Sequence, residues 1–226
     1  MKQPIEPLPT SWEFDLTEVD DGEDLVTVGG DLRAGTLLSA YRSGLFPMGL
    51  GEHGDRPMGW WSPDPRGVLL PGGVHASRSL RRSLRKFEMR VDTAFDQVIA
   101  ACADPRREGR WITEEIVDAY TEMHALGWAH SIETWLDDEL VGGLYGIAVG
   151  GLFAGESMFH RVADASKAAV VAMAGYVYAD GDPHRLIDVQ WSTDHLQTLG
   201  VVTVSRKDYL RRLEQASHLE PPAFDS

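Results

Sequence analysis

Residues 129–159 constrain the fold more than any other stretch of the chain. Three apolar and β-branched runs, 129–135, 140–148 and 152–159, are separated only by Asp137-Asp138 and Gly150-Gly151. Such dipeptides suit the tight turns of β-hairpins, so the three runs are expected as adjacent antiparallel strands. A helix over 164–179 with small residues on much of its surface and a strand over 185–190 follow. Strands in succession and then helix, strand and helix predict an α+β fold with helices packed on a mixed sheet.

The remaining elements follow from local signals. A helix is expected over 32–43, with Asp31 placed to cap it and Gly44 just past its end. Residues 46–66 read as loop, because Gly and Pro are frequent and Pro63 and Pro65 exclude an ordinary helix or central strand. A domain boundary is placed there, giving a small N-terminal domain over 1–62, its acidic start a candidate for disorder, and a second domain over 63–226. Beyond it the pattern predicts strands at 67–70, 87–91 and 201–204, and helices after Ser77, over 93–103 and from Thr113 to 126. A charged loop covers 104–110. Ser205 with Asp208 three residues on opens a final helix.

With 226 residues, 43% of them apolar, the chain can bury a substantial core. Its longest nearly unbroken apolar run, 168–179, is short of the roughly 20 residues that span a bilayer. The first residues lack a signal-peptide pattern, so no membrane association and a cytoplasmic location are expected. Cys102 is the only cysteine, which excludes an internal disulfide and a thiolate metal site. The eight histidines show no ligand spacing, and no metal is expected.

A net charge of −14 argues against a nucleic-acid partner until it is mapped. Nine acids precede residue 32 against Lys2 alone, whereas Arg78, Arg81, Arg82, Arg85, Lys86 and Arg90 face only Glu88. Helical spacing gathers the first four arginines on one face, with Leu80 and Leu84 anchoring the other. This is either a solvated face or a phosphate-tracking strip. Screening over about 8 Å lets such a strip act despite distant acids.

Three positions suggest chemistry. Glu156 falls within an apolar strand, sharing a face with Ala154 and Met158, and an acid there is paired or functional. Asp188 and Gln190 alternate with Ile187 and Val189, so both project from one face, roughly 7 Å apart along the strand. Trp111 follows Arg107 and Arg110, which suits either a core plug or the stacking of a nucleobase.

In one order the chain carries Gly29-Gly30-Asp31-Leu32, 41–47, Trp60-Trp61-Ser62-Pro63-Asp64-Pro65-Arg66, Ser77-Arg78-Ser79-Leu80 and 109–113. His130-Ser131-Ile132-Glu133, 141–146, Gly155-Glu156-Ser157-Met158-Phe159, Ala165-Ser166-Lys167 and 187–190 continue the series. Together they closely resemble the bacterial leucyl/phenylalanyl-tRNA–protein transferases, over nearly the whole chain from 25 to 210. The resemblance implies a small N-terminal domain followed by a GNAT-like acyltransferase domain. It implies transfer of Leu or Phe, and Met less well, from aminoacyl-tRNA to the α-amine of proteins beginning with Arg or Lys. Such products enter the N-degron pathway. No cofactor is implied, because the aminoacyl ester is already activated. Met48 stands where some relatives carry an aromatic, leaving Trp111 to stack the terminal adenine. The 180–185 stretch looks slightly longer than in relatives, and the C-terminal tail is short.

The resemblance also implies direct aminolysis of the ester, with Asp188, Gln190 and Glu156 as the catalytic residues. In the family Asp188 polarises Gln190, whose side-chain oxygen contacts the attacking amine, and the two acids, Glu156 and Asp188, are expected to attract a cationic N-terminus. The aminoacyl pocket is expected from Leu144, Phe153, Val170, Met173, Val177 and Ile187. Arg78, Arg81, Arg82, Arg85 and Lys86, with Trp111 and Met48, are expected on the tRNA, and the chain is expected to be a monomer. Two alternatives remain open: an N-acyltransferase using acyl-CoA, against which stands the lack of a glycine-rich pyrophosphate loop, and a silent tRNA- or N-degron-binding module.

Overall fold

A computed structural model describes residues 3–17 and 19–224. Met1, Lys2 and Glu18 of the acidic N-terminal stretch lie outside the described residues. Strand β1 (Leu25–Val28), helix α1 (Ala34–Arg42) and strands β2 (Phe46–Gly49) and β3 (Met58–Trp61) come first, with a 3-10 turn at Glu52–Gly54. The three strands form an antiparallel sheet in the order β1-β3-β2. Residues 46–49 and 58–61 are thus strands rather than the expected loop, and 50–57 connects them. Pro47 and Gly49 lie on β2, an edge strand of this small sheet, where a missing donor or side chain costs little. Asp31 lies two residues ahead of the helix N-cap, Arg33. It accepts from the Arg33 backbone N–H (3.1 Å) and the Thr36 hydroxyl (2.7 Å), so it secures the first turn from outside.

Then follow β4 (Arg66–Leu69), α2 (Arg78–Leu84), β5 (Glu88–Val91), α3 (Phe95–Cys102) and α4 (Glu114–Ala125). The expected meander is β6 (Ala129–Leu136), β7 (Glu139–Val149) and β8 (Leu152–His160). Both residues of its first turn, Asp137 and Asp138, have positive φ, as a primed turn demands. The chain ends with α5 (Ala165–Val177), β9 (Leu186–Gln190), the four-residue α6 (Asp194–Gln197), β10 (Val202–Val204) and α7 (Arg206–Ser217). Ser77, Thr113 and Ser205 each cap their helix through the side-chain oxygen, the last accepting from Asp208 N–H at 3.2 Å.

The larger sheet runs β10-β4-β9-β8-β7-β6-β5, and β8 with β9 is its parallel pair. The protein is therefore α+β with a mixed sheet. One sheet face packs on residues of α1, α3, α4 and α7, and the other on α2 and α5. Burying both faces explains why β6 to β8 read as nearly continuous apolar runs rather than as alternating ones. Among the described residues no helix is long and apolar enough to cross a membrane.

Candidate active site

The parallel ladder between β8 and β9 ends at Ala154↔Asp188. Immediately beyond, both strands slip register against their other neighbours. On β8, Tyr145 pairs with Ser157 but Gly146 with Gly155, so Glu156 is the extra residue of a bulge. On β9, Val68 pairs with Asp188 but Gly67 with Gln190, so Val189 is extra. The bulge corrects the expected facing of Glu156. Ala154 belongs to the core on one side of the sheet and Met158 packs on the core of the other, so the two do not share a face.

Gln190 Nε2 donates to Glu156 Oε1 across the opening, at 3.1 Å. That bond uses the nitrogen end of the amide, and Gln190 Oε1 makes no hydrogen bond among the described residues. Tyr120 donates to Glu156 Oε2 at 3.2 Å, and the Tyr120 hydroxyl also bonds that of Tyr41. Burial pushes the Glu156 carboxyl up to about 8, against the pull of the Tyr41 and Tyr120 hydroxyls and with the help of the Asp188 charge. Gln190 is itself held in the left-handed region, φ 59°. That conformation costs roughly 1–2 kcal/mol in a residue with a Cβ.

Asp188 supplies the hold. Its Oδ1 accepts the Gln190 backbone N–H at 2.9 Å. The rest of the carboxylate is taken by Arg66, through Nε to Oδ1 (2.9 Å) and Nη2 to Oδ2 (2.6 Å), and by the Tyr209 hydroxyl to Oδ2 (2.9 Å). Asp188 and Arg66 are both essentially inaccessible to solvent. Two expectations are corrected here. Asp188 meets the backbone of Gln190 rather than its side chain, and it is enclosed by partners and cannot greet an incoming cation. Its bond to the Gln190 backbone holds that residue in place.

Glu156 and Gln190 line a cleft of about 430 Å³, with Arg107, His160, Ser166 and His195 as further polar groups of its wall. Leu144, Val170 and Met173 line it, as expected, together with Met158, Val189 and Leu196. Phe153, Val177 and Ile187 do not. They are fully buried in the same core cluster, one layer behind the wall. Met158 and Val189 escaped the sequence reading because each lies beside a bulge, where alternation fails. Arg66, Tyr41, Tyr120 and Tyr209 escaped it because nothing local distinguishes them from ordinary core residues.

Met48 and Trp111 do not line this cleft. Gly54 is wedged between the strand carrying Met48 and the backbone of Trp111, so the two lie in one neighbourhood. Beside them a charged cleft of about 480 Å³ is lined by His53 to Arg56 and by residues of the 103–115 segment, and it holds the Arg56–Glu115 ion pair. Arg78, Arg81, Arg82, Arg85 and Lys86 are all exposed, while Leu80 is buried and Leu84 half-buried. Arg90 departs from this strip. It is bound to Glu88 and Asp138 and lies over the Trp135 ring.

Fold and site define an α+β enzyme whose acid–amide pair lines a cleft with Leu144, Val170 and Met173 in its wall. The family model described as leucyl/phenylalanyl-tRNA protein transferase matches residues 68–214, and that of its N-terminal domain matches 30–64. A leucyl/phenylalanyl-tRNA–protein transferase of Idiomarina loihiensis is 44% identical over 222 residues, covering 96% of this chain and 92% of its own. One from Aromatoleum aromaticum is 51% identical over 192 residues, covering 83% and 79%. The chain belongs to the leucyl/phenylalanyl-tRNA–protein transferase family and is an aminoacyltransferase.

Proposed function

We propose that the enzyme moves Leu or Phe, and Met less readily, from aminoacyl-tRNA to the α-amine of proteins beginning with Arg or Lys, marking them for N-degron degradation. The observation that carries this reading is the Glu156–Gln190 pair in the wall of a cleft that Leu144, Val170 and Met173 also line. A flexible Met173 wall suits side chains of unlike shape, and an apolar pocket discriminates by only about 1–3 kcal/mol per methylene.

The N-terminal α-amine has a pKa of about 7.7–8.0, so a useful fraction is neutral at cellular pH. Gln190 Oε1 accepts one of its N–H groups and aims the lone pair at the ester carbonyl. The N–C bond forms, the C–O3′ bond breaks, and the amine proton ends on the departing 3′-oxygen. An amide is too weak a base to keep that proton, so Gln190 orients rather than deprotonates. Orientation of this kind supplies on the order of 7–11 kcal/mol at its best. The cation of the acceptor side chain is drawn by the acidic body of the protein, and the α2 strip meets the tRNA phosphates. Trp111, with Met48 nearby, takes the terminal adenine.

We take 1–62 and 63–226 as the two units, the second GNAT-like, and the protein as a cytoplasmic monomer. The opening of a parallel strand pair beside an acyl-sized cleft supports the GNAT-like reading. Labelled Phe-tRNA and labelled acetyl-CoA, each offered with an Arg-starting peptide, test the proposal. Label passes from the tRNA. Transfer from acetyl-CoA alone would overturn the reading, and binding without transfer would leave a recognition module. Gln190→Ala lowers single-turnover transfer by at least tenfold, and a near-normal rate removes Gln190 from its role.

A further inference from the structure

The last residues of the described chain, beyond the family match that ends at 214, run back to the layer behind the cleft. Leu219 packs on Gly151 in the β7–β8 turn, where a Cβ would come within 2.8 Å of it. Arg185, held by Asp180 at 2.7 Å, donates to the Glu220 carbonyl at 3.1 Å. Pro221 and Pro222 then fix the backbone dihedrals of the approach. Phe224, only 4% exposed, enters the core cluster that contains the cleft wall. Its ring meets Phe153 edge-on at 5.7 Å, Tyr176 at 6.3 Å and His130 at 4.7 Å.

These contacts lead to the cleft by two routes. Tyr176 lies on α5, the helix that presents Val170 and Met173 to the cleft. Phe153 lies over Gly146, filling the space that a Cβ there would need, and shares its cluster with Leu144, Met173 and Ile187. Close-packed interiors transmit such displacements, because no void absorbs them.

We propose that Phe224 is a specificity-determining residue, a wedge that sets how deep the aminoacyl cleft is and so the balance between Leu and Phe. The inference rests on the reading of the cleft as the aminoacyl site. Without the wedge, Phe153 and Tyr176 relax outward and the cleft floor sinks. The longer Phe side chain gains room, and the shorter Leu loses contacts.

The full-length protein is compared with Phe224→Ala and the milder Phe224→Leu. Single-turnover transfer is measured from Phe-tRNA and Leu-tRNA to one Arg-starting peptide, with Met173→Ala as a direct change in the wall. The Phe-to-Leu rate ratio rises at least threefold in Phe224→Ala and by less in Phe224→Leu, while deacylated tRNA binds all proteins alike. A purely structural tail would lower both rates by a common factor, and that result overturns the inference. A ratio moved by Met173→Ala but not by the Phe224 variants also overturns it, with the cleft assignment intact. If neither position moves the ratio, the cleft assignment fails and the inference with it.

Discussion

Asp188 and Arg66 show how a buried ion pair, closed to solvent, fixes the backbone of the residue beside it: Asp188 holds the Gln190 N–H while Arg66 holds Asp188. The guanidinium is ringed by the carboxylate, the Gly44 carbonyl and the faces of Phe46 and Tyr209. Asp188→Ala leaves that cation buried and uncompensated, and is expected to lower the unfolding free energy by about 3–5 kcal/mol in urea titrations. Replacing both partners with apolar residues, as in Arg66→Met with Asp188→Leu, costs less than either single change. A double variant as damaged as the sum of the singles would show that the two act independently. Glu156 gives a pH signature. Burial raises its carboxyl from an ordinary 4.5 to about 8, so the folded protein holds the proton more tightly than the unfolded chain. The resulting stabilisation is complete below about 4.5 and is lost as pH rises through about 8. Wild type therefore loses stability relative to Glu156→Gln across that window and runs parallel to it above, as urea midpoints measured from pH 4 to 9 will show. Parallel curves throughout would mean an ordinary, solvated carboxyl.

Elements were more legible than residues. Caps at Ser77, Thr113 and Ser205 and the turns of the meander are written within four residues of sequence, and each is where local chemistry puts it. The small sheet was not legible, since β2 and β3 pair with segments that give no local strand signal. Helix α2 carries a prediction of its own. Its exposed cations make no ion pair within 4.0 Å among the described residues, which leaves them available to phosphate. Replacing Arg78, Arg81 and Arg82 together should weaken tRNA binding and flatten the slope of log affinity against log salt by about 2–3. An unchanged slope returns the strip to a solvated face. The neighbourhood of Trp111 depends on Gly54, with φ +87° and a Cβ position that collides with the Trp111 carbonyl. Gly54→Ala is expected to cost more than 1 kcal/mol, seen as a fall of several degrees in the melting temperature.

Across the whole molecule, charge is segregated and the acidic N-terminal segment is tied to the catalytic sheet by one buried cation. Arg206, at the start of α7, donates to the carbonyls of Ser62 (2.9 Å), Val19 (3.4 Å), Asp20 (3.3 Å) and Glu23. Asp24 adds bonds to the Trp191 indole (3.0 Å) and the Asp64 backbone N–H (3.1 Å). Arg206→Ala strips the buried Ser62 carbonyl and the part-buried carbonyls of Val19, Asp20 and Glu23 of a charged donor, at about 2–3 kcal/mol, and should open the 19–25 segment to protease well before the sheet unfolds. Cleavage at the wild-type rate would show that the segment is held by other contacts. The sequence by itself determined the meander, the mixed α+β order, the basic strip and the family, because periodicity, caps, turns and motifs are local. Only the tertiary structure decided that Glu156 and Gln190 face one another, that Asp188 turns inward to Arg66, and that Phe153, Val177 and Ile187 stand behind the cleft wall. The physical reason is that a bulge is a property of a strand pair. Where one neighbour slips by a residue, every later side chain changes face, and nothing within the strand's own sequence records the slip.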